Sequence, residues 1–262
     1  MIGRTVDPLD EVSGITSSPS GVPVLWAHND SGDKARLFAL SSIDGAIVGE
    51  VQLTGAAAID WEDITAYRAA DGTPTLIVAD TGDNNAVRPE VHLYLLPEPD
   101  PVTTKRAKAA RVTLRFDEGP HDVEAIAVDV EAGELLIVGK RFGSSRTVAV
   151  HVVALADLAA GATLVPRTVG PWTVPIGELY GPTGADVSDD GQVLAVRLPF
   201  GIVTWNRRPG TSFARLLVEG VSPDCRLSLG SGQLESVTFL PDGRMVTVSE
   251  GVESELVVSE RS

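Results

Sequence analysis

One cysteine, Cys225, stands in a chain of 262 residues. A lone thiol excludes an intrachain disulfide and any zinc site built on paired cysteines. Basic residues are also scarce: 21 Lys and Arg face 36 Asp and Glu, a formal charge of −15. Nucleic acid and anionic membranes are therefore not expected as partners, because both are held by basic surfaces. No apolar run approaches the ~20 residues of a membrane-spanning helix. The stretch from Met1 to Pro8 lacks the apolar region of a signal peptide. A cytoplasmic protein is expected, with secretion after loss of a leader as the alternative. No Gly-x-Ser-x-Gly, P-loop or His-Glu-x-x-His occurs, so serine-nucleophile, phosphate-cradling and zincin chemistry have no support. Helical periodicity is weak and confined to the region of residues 153–158.

Short, β-rich apolar runs fill the space these absences leave. Val24-Leu25-Trp26, Leu76-Ile77-Val78, Leu135-Leu136-Ile137-Val138, Val193-Leu194-Ala195-Val196 and Met245-Val246-Thr247-Val248 are each bounded by Gly, Pro, Asp or Ser, the pattern of strands and turns. They belong to an internal repeat. Five openings align: Glu11-Val12-Ser13-Gly14-Ile15, Asp60-Trp61-Glu62-Asp63-Ile64, Asp122-Val123-Glu124-Ala125-Ile126, Thr183-Gly184-Ala185-Asp186-Val187 and Gln233-Leu234-Glu235-Ser236-Val237. A turn signal follows each, at Ser20-Gly21, Asp71-Gly72, Ala132-Gly133, Asp190-Gly191 and Asp242-Gly243, and then the apolar run. Third and fourth strands fit between openings, with residues 164–169 and 214–218 read as the fourth strands of the third and fourth repeats.

Four antiparallel strands per ~40–50 residues make the blade of a β-propeller. The expectation is an all-β fold, a single domain over 1–262 with five blades. Six is the runner-up should a long repeat hide a degenerate blade, and an all-β sandwich is the rival architecture. The last repeat runs out of strands, so residues 2–6 are expected to supply its outer strand and close the ring.

In such a ring, first-strand starts and second-strand ends share one face near the central channel. That places Glu62, Glu124 and Glu235 at one aligned position, as candidate general bases or metal ligands. Asp30, Asp60, Asp80 and Asp83 join Glu62 and Glu124 as candidate metal ligands. Asp30-Ser31-Gly32-Asp33 matches Asp80-Thr81-Gly82-Asp83, although Asp and Gly are also ordinary turn formers. Converging carboxylates repel unless neutralised. A hard cation such as Ca²⁺ is one solution; pairing of Lys140 and Arg197 with Glu124 or Glu62 is the other. His28, Trp61, Arg88, Lys140, Arg197 and Glu250 are the candidate substrate contacts, Trp61 as a stacking wall or as interblade packing. His28 and His121 are candidate proton shuttles or plain turn residues. No organic cofactor is implied, and a monomer is expected.

The phrases Trp26-Ala27-His28-Asn29-Asp30-Ser31-Gly32, Asp60-Trp61-Glu62-Asp63-Ile64, Asp80-Thr81-Gly82-Asp83-Asn84 with Arg88, Val123-Glu124-Ala125-Ile126 and Ser249-Glu250-Gly251 resemble a widespread group of bacterial β-propeller proteins, many of them predicted to be secreted. The Glu-x-Ile openings are more distantly similar to six-bladed propellers of the lactonase, strictosidine-synthase and esterase-like phytase types. Some of those hold calcium at the channel. The resemblance implies that Glu62, Glu124 and Glu235 line a metal or substrate site. This chain departs from that pattern in having five repeats, and Thr183 and Ala185 where acids would stand. The function expected is action on a small anionic or oxygen-rich molecule: hydrolysis of an ester, lactone or phosphoester, or a rearrangement or cyclisation. The alternative is a non-catalytic binding scaffold.

Overall fold

A computed structural model describes residues 1–5, 7–140, 146–175, 181–228, 234–249, 251 and 254–260. Five small antiparallel sheets form a five-bladed β-propeller. The innermost strands are Val12–Ser17, Trp61–Arg68, Val123–Asp129, Gly184–Val187 and Leu234–Phe239. Each packs on the next, and the fifth packs on the first. The second strands are Val24–Asn29, Pro74–Asp80, Glu134–Gly139, Val193–Leu198 and Met245–Ser249. The turns joining these pairs are the five read from sequence. Their glycines, Gly21, Gly72, Gly133, Gly191 and Gly243, take φ of 67° to 86°, a region where a Cβ is disfavoured.

The apolar residues show why the ring must close. Each blade interface holds its own buried cluster. Trp26, Trp61 and Tyr94 anchor the one between blades 1 and 2, and Ile77, Val123 and Ile137 the next. Trp172 and Trp205 meet edge to face at 5.7 Å between blades 3 and 4. Phe239 and Met245 lie between blades 4 and 5, and Leu25, Phe38 and Val248 between blades 5 and 1. A blade is apolar on both faces, so a neighbour is needed on each side. The N-terminal strand Gly3–Arg4 pairs antiparallel with Glu255–Ser259, Gly3 opposite Leu256, and supplies the outer strand of blade 5 as expected.

The long second and third repeats hide no sixth blade. Their surplus covers the outer edge of the preceding blade. Arg106–Lys108 runs parallel to the outer strand Ile47–Thr54 of blade 1, and Thr163–Leu164 parallel to Ala110–Leu114 of blade 2. Covered edges cannot template pairing with other chains. Two fourth-strand assignments shift in consequence. That of blade 3 is Arg167–Thr173, and that of blade 4 is Cys225–Ser228. Residues 214–218 lie in a helix, Phe213–Val218, because Phe213, Leu216 and Leu217 repeat at i, i+3 and i+4 and bury one face. Ser212 caps it, accepting from the Arg215 N–H. The weak periodicity near residue 155 is a short 3₁₀ turn, Leu155–Asp157. No helix among the described residues is long and apolar enough to cross a membrane.

Candidate functional site

A repeated irregularity aims the side chains of the mouth. In four blades the ladder between first and second strands slips by one residue at the opening: between Val12 and Gly14, Trp61 and Asp63, Val123 and Ala125, and Leu234 and Ser236. The skipped residues are Ser13, Glu62, Glu124 and Glu235. A β-bulge leaves one residue out of the pleat and re-aims its side chain. All four line one cavity of about 180 Å³, together with Asp30, Asn84 and Lys140. Blade 4 has no slip: Gly184 and Ala185 pair in unbroken register with Arg197 and Val196.

Glu62 and Glu124 are 6% and 5% exposed. Carboxylate oxygens of Asp30, Asp60 and Glu62 lie within 4.8 Å of one another, and so do those of Glu62, Asp122 and Glu124. The two triads share Glu62. Burial, reinforced by Asp30 and Asp122, pushes the Asp60 carboxyl up to about 6. Burial and then Glu124 push Glu62 well above the usual carboxylate range. Burial also lifts Glu124 to about 7, against the pull of Lys140. Gly82 makes this crowding possible, because a Cβ there would collide with Glu62 Oε1 and Asp60 Oδ2.

Lys140 adopts the second way of neutralising the acids, within its own blade. Its Nζ pairs with Glu124 Oε1, donates to Asn84 Oδ1 at 3.0 Å and stands 3.7 Å from Asp122 Oδ2. Burial opposes the ammonium, but Glu124 and Asp122 outweigh it and raise its pKa.

Several expected site residues serve the scaffold instead. Trp61 is 1% exposed, lies edge to face with His28 at 5.3 Å and donates its indole N–H to Ala57 O at 2.7 Å. It is interblade packing, not a stacking wall. His28 is fully buried opposite Gly14, whose missing side chain makes room for the imidazole; burial lowers its pKa. Asp80 belongs to neither carboxylate triad. It is buried, accepts from the Asp60 N–H at 3.1 Å and pairs with Arg88 at 3.1 Å. Arg88 also donates to Gly82 O at 2.7 Å and so braces the loop over the triads. Asp83 accepts from the Val87 and Arg88 N–H groups and shapes that same loop. Arg197 is 0% exposed and does not line the cavity. His121 packs against Phe116 and His151, also outside the cavity lining. Glu250 and Gln233 lie outside the described residues.

Three contributors stand outside the candidate set. Asp122, aligned with Asp60 at the start of its first strand, completes the second triad. Asn84 holds Lys140. Asp63, fully buried, accepts N–H groups from Ile64 and Ile126 at 2.9 Å and from Ala185 at 3.2 Å, joining blades 2, 3 and 4 beneath the mouth. Burial pushes its carboxyl well above the usual range although these three donors pull the other way. A larger cavity, about 390 Å³, opens at the other end of the inner strands. Its most buried carboxylate, Asp186, is taken by Thr238 Oγ1 and the Phe239 N–H at 2.9 and 2.8 Å.

No family model matches the chain, and no curated protein matches it in sequence. Solved structures do match. A chain of Kuenenia stuttgartiensis hydrazine synthase superposes with a TM-score of 0.53 at 12% identity, covering 98% of this chain and 97% of that one. The Cps50 (Swd1) β-propeller domain of Myceliophteria thermophila superposes with a TM-score of 0.48 at 11% identity, over 98% and 100%. At 12% identity the first of these likenesses speaks for the fold alone, and with the five sheets it makes the chain a β-propeller.

Proposed function

We propose that this mouth holds a divalent cation of the calcium type and acts on a small anionic or oxygen-rich molecule, by hydrolysis of an ester, lactone or phosphoester. The observation that carries the reading is the triad Asp30, Asp60 and Glu62. Three carboxylates from two blades converge, two of them against Gly82, where a Cβ would press on Glu62 and Asp60, and among the described residues none of the three forms an ion pair with a Lys, Arg or His. Oxygen donors of this kind suit Ca²⁺. The likeness of the Glu-x-Ile openings to lactonase and esterase-like phytase propellers agrees with it.

A cation bound here would polarise a carbonyl or phosphoryl oxygen. Asp30, Asp60 and Glu62 would hold it. Glu124, lifted to about 7 by burial, is suited to accept a proton from water near neutral pH. Lys140 keeps Glu124 in place, and Glu235 faces the same cavity. One observation favours the rival reading of a binding scaffold: the cavity of about 180 Å³ is smaller than the ~300–1,000 Å³ usual for small-molecule sites, so much of any ligand would stand outside it.

The test is turnover on a panel of esters, lactones and phosphoesters with Ca²⁺ or chelator. Calcium-dependent hydrolysis that falls at least ~100-fold in Glu62→Gln is expected. A wild type inert on the whole panel that still melts higher with Ca²⁺ leaves the scaffold. No melting shift under saturating Ca²⁺ removes the cation.

A further inference from the structure

We infer that Lys140 is a built-in second cation, occupying the position of a second metal ion, so that the mouth takes one divalent ion where its carboxylates are laid out for two. This rests on the cation reading above and specifies its stoichiometry.

The blade repeat relates the two acid pairs. Asp60 and Glu62 occupy the same aligned positions in blade 2 as Asp122 and Glu124 in blade 3. The Lys140 N–H donates to Asp122 O at 2.8 Å, and the Gly82 N–H makes the equivalent bond to Asp60 O at 3.1 Å. Blade 2 is one residue longer at this point: Thr81 follows the last ladder pair as Lys140 does in blade 3, and turns its hydroxyl to Val123 O at 2.9 Å, while Gly82 makes the bond. So blade 3 places a lysine here and blade 2 places no cation. In blade 3 the ammonium reaches back onto its own acid pair. In blade 2 the Asp60–Glu62 pair receives no such arm. The side chain from the same position in blade 1, where the Asp30 N–H donates to Glu11 O at 2.8 Å, is instead a third acid converging on it.

Asp122 Oδ2 supplies a separate indication. Asp122 is 1% exposed and its Oδ2 accepts no hydrogen bond; its nearest positive charge is the Lys140 ammonium at 3.7 Å. An ammonium sits at roughly 2.8 Å from carboxylate oxygens and Ca²⁺ at about 2.4 Å, so the two compete for one place. A lysine there also fixes half of the charge compensation permanently, leaving the Asp30–Asp60–Glu62 triad as the exchangeable half.

Ion counting tests this. Full-length wild type, Lys140→Met and Lys140→Arg are titrated with Ca²⁺ by calorimetry and with Tb³⁺ by luminescence, with circular dichroism to verify folding. One ion is expected in the wild type and in Lys140→Arg, and two in Lys140→Met. In the wild-type background, Asp30→Asn with Asp60→Asn should abolish binding, whereas Asp122→Asn should leave the single ion bound within about threefold of its affinity. One ion in both wild type and folded Lys140→Met overturns this inference alone, as do two ions in the wild type. No ion in the wild type overturns the cation reading and this inference with it. Should Lys140→Met not fold, the Asp122→Asn comparison decides: a loss of binding equal to that of the double variant overturns the proposal.

Discussion

Blades 3 and 4 stand side by side, yet among the described residues only blade 3 contributes a carboxylate to the mouth. The difference is a single residue of register. In blade 3 the ladder slips between Val123 and Ala125, and Glu124 turns toward the channel. In blade 4 the ladder is unbroken, and Ala185 packs with Trp172 and Trp205 in the interblade cluster. A bulge therefore lets a strand present an acid without giving up the buried residues on either side of it. Val12, Trp61, Val123 and Leu234 precede the four slips as the apolar partners of each bulge. Each slip adds one mouth-facing residue and leaves the core of its blade in place.

Four experiments would break or sharpen that contrast. The largest effect is expected from Glu124→Gln, which should lower hydrolytic turnover by ~10²–10⁴-fold while the melting shift with Ca²⁺ persists. Wild-type activity should also rise through about pH 7 as Glu124 ionises; steady-state kinetics across pH 5–9 would check both. Ala185→Glu comes next. At the bulged positions a glutamate is native, but here it would be buried among apolar side chains, so a loss of about 3–5 kcal/mol is expected in denaturant melts, with no gain in Ca²⁺ affinity. A stable variant that binds Ca²⁺ more tightly would show that register is irrelevant.

The third concerns pH. Asp60 is raised to about 6 and Glu124 and Asp186 to about 7. Each binds its proton more tightly folded than unfolded. Their contribution is complete below about pH 4 and is lost as pH rises through 6 to 7, of the order of 2–4 kcal/mol for the fully buried Asp186. In chelator, stability should therefore fall across this window. Saturating Ca²⁺ selects ionised mouth carboxylates, so the melting curves with and without it should diverge as pH rises; parallel curves would detach the mouth from the cation. The smallest effect is that of Ser13→Ala. Ser13 is the one bulged residue without a charge, and its hydroxyl donates to Glu62 O at 2.6 Å across blades 1 and 2. About 1 kcal/mol of stability should be lost, read from the urea midpoint.

The ring was legible because openings, turns and apolar strands recur in one order, and that recurrence also placed Glu62, Glu124 and Glu235 on one face. Of the two roles open to Trp61, interblade packing holds, because the bulge flips only one residue. Its aligned partners Val12, Val123 and Leu234 are all apolar, which the repeat itself records. His28 was misjudged because its aligned equivalents, Ala79 and Val138, are core residues of the same ladder. Asp63 could not be foreseen, since its partners are backbone N–H groups of blades 3 and 4, and main-chain donors leave no trace in side-chain spacing. That blade 2 offers Thr81 and Gly82 where blade 3 offers Lys140 is visible only once ladder pairs and hydrogen bonds align the two loops.

The clasp joins the two most distant stretches of the ring's sequence, Gly3–Arg4 and Glu255–Ser259. Blade 5 is therefore complete only once the other four blades have carried those stretches around to each other, a pairing of high sequence separation that is slow to form. Loss of residues 1–5 would unlatch the wheel at its rim and leave a bare strand edge there.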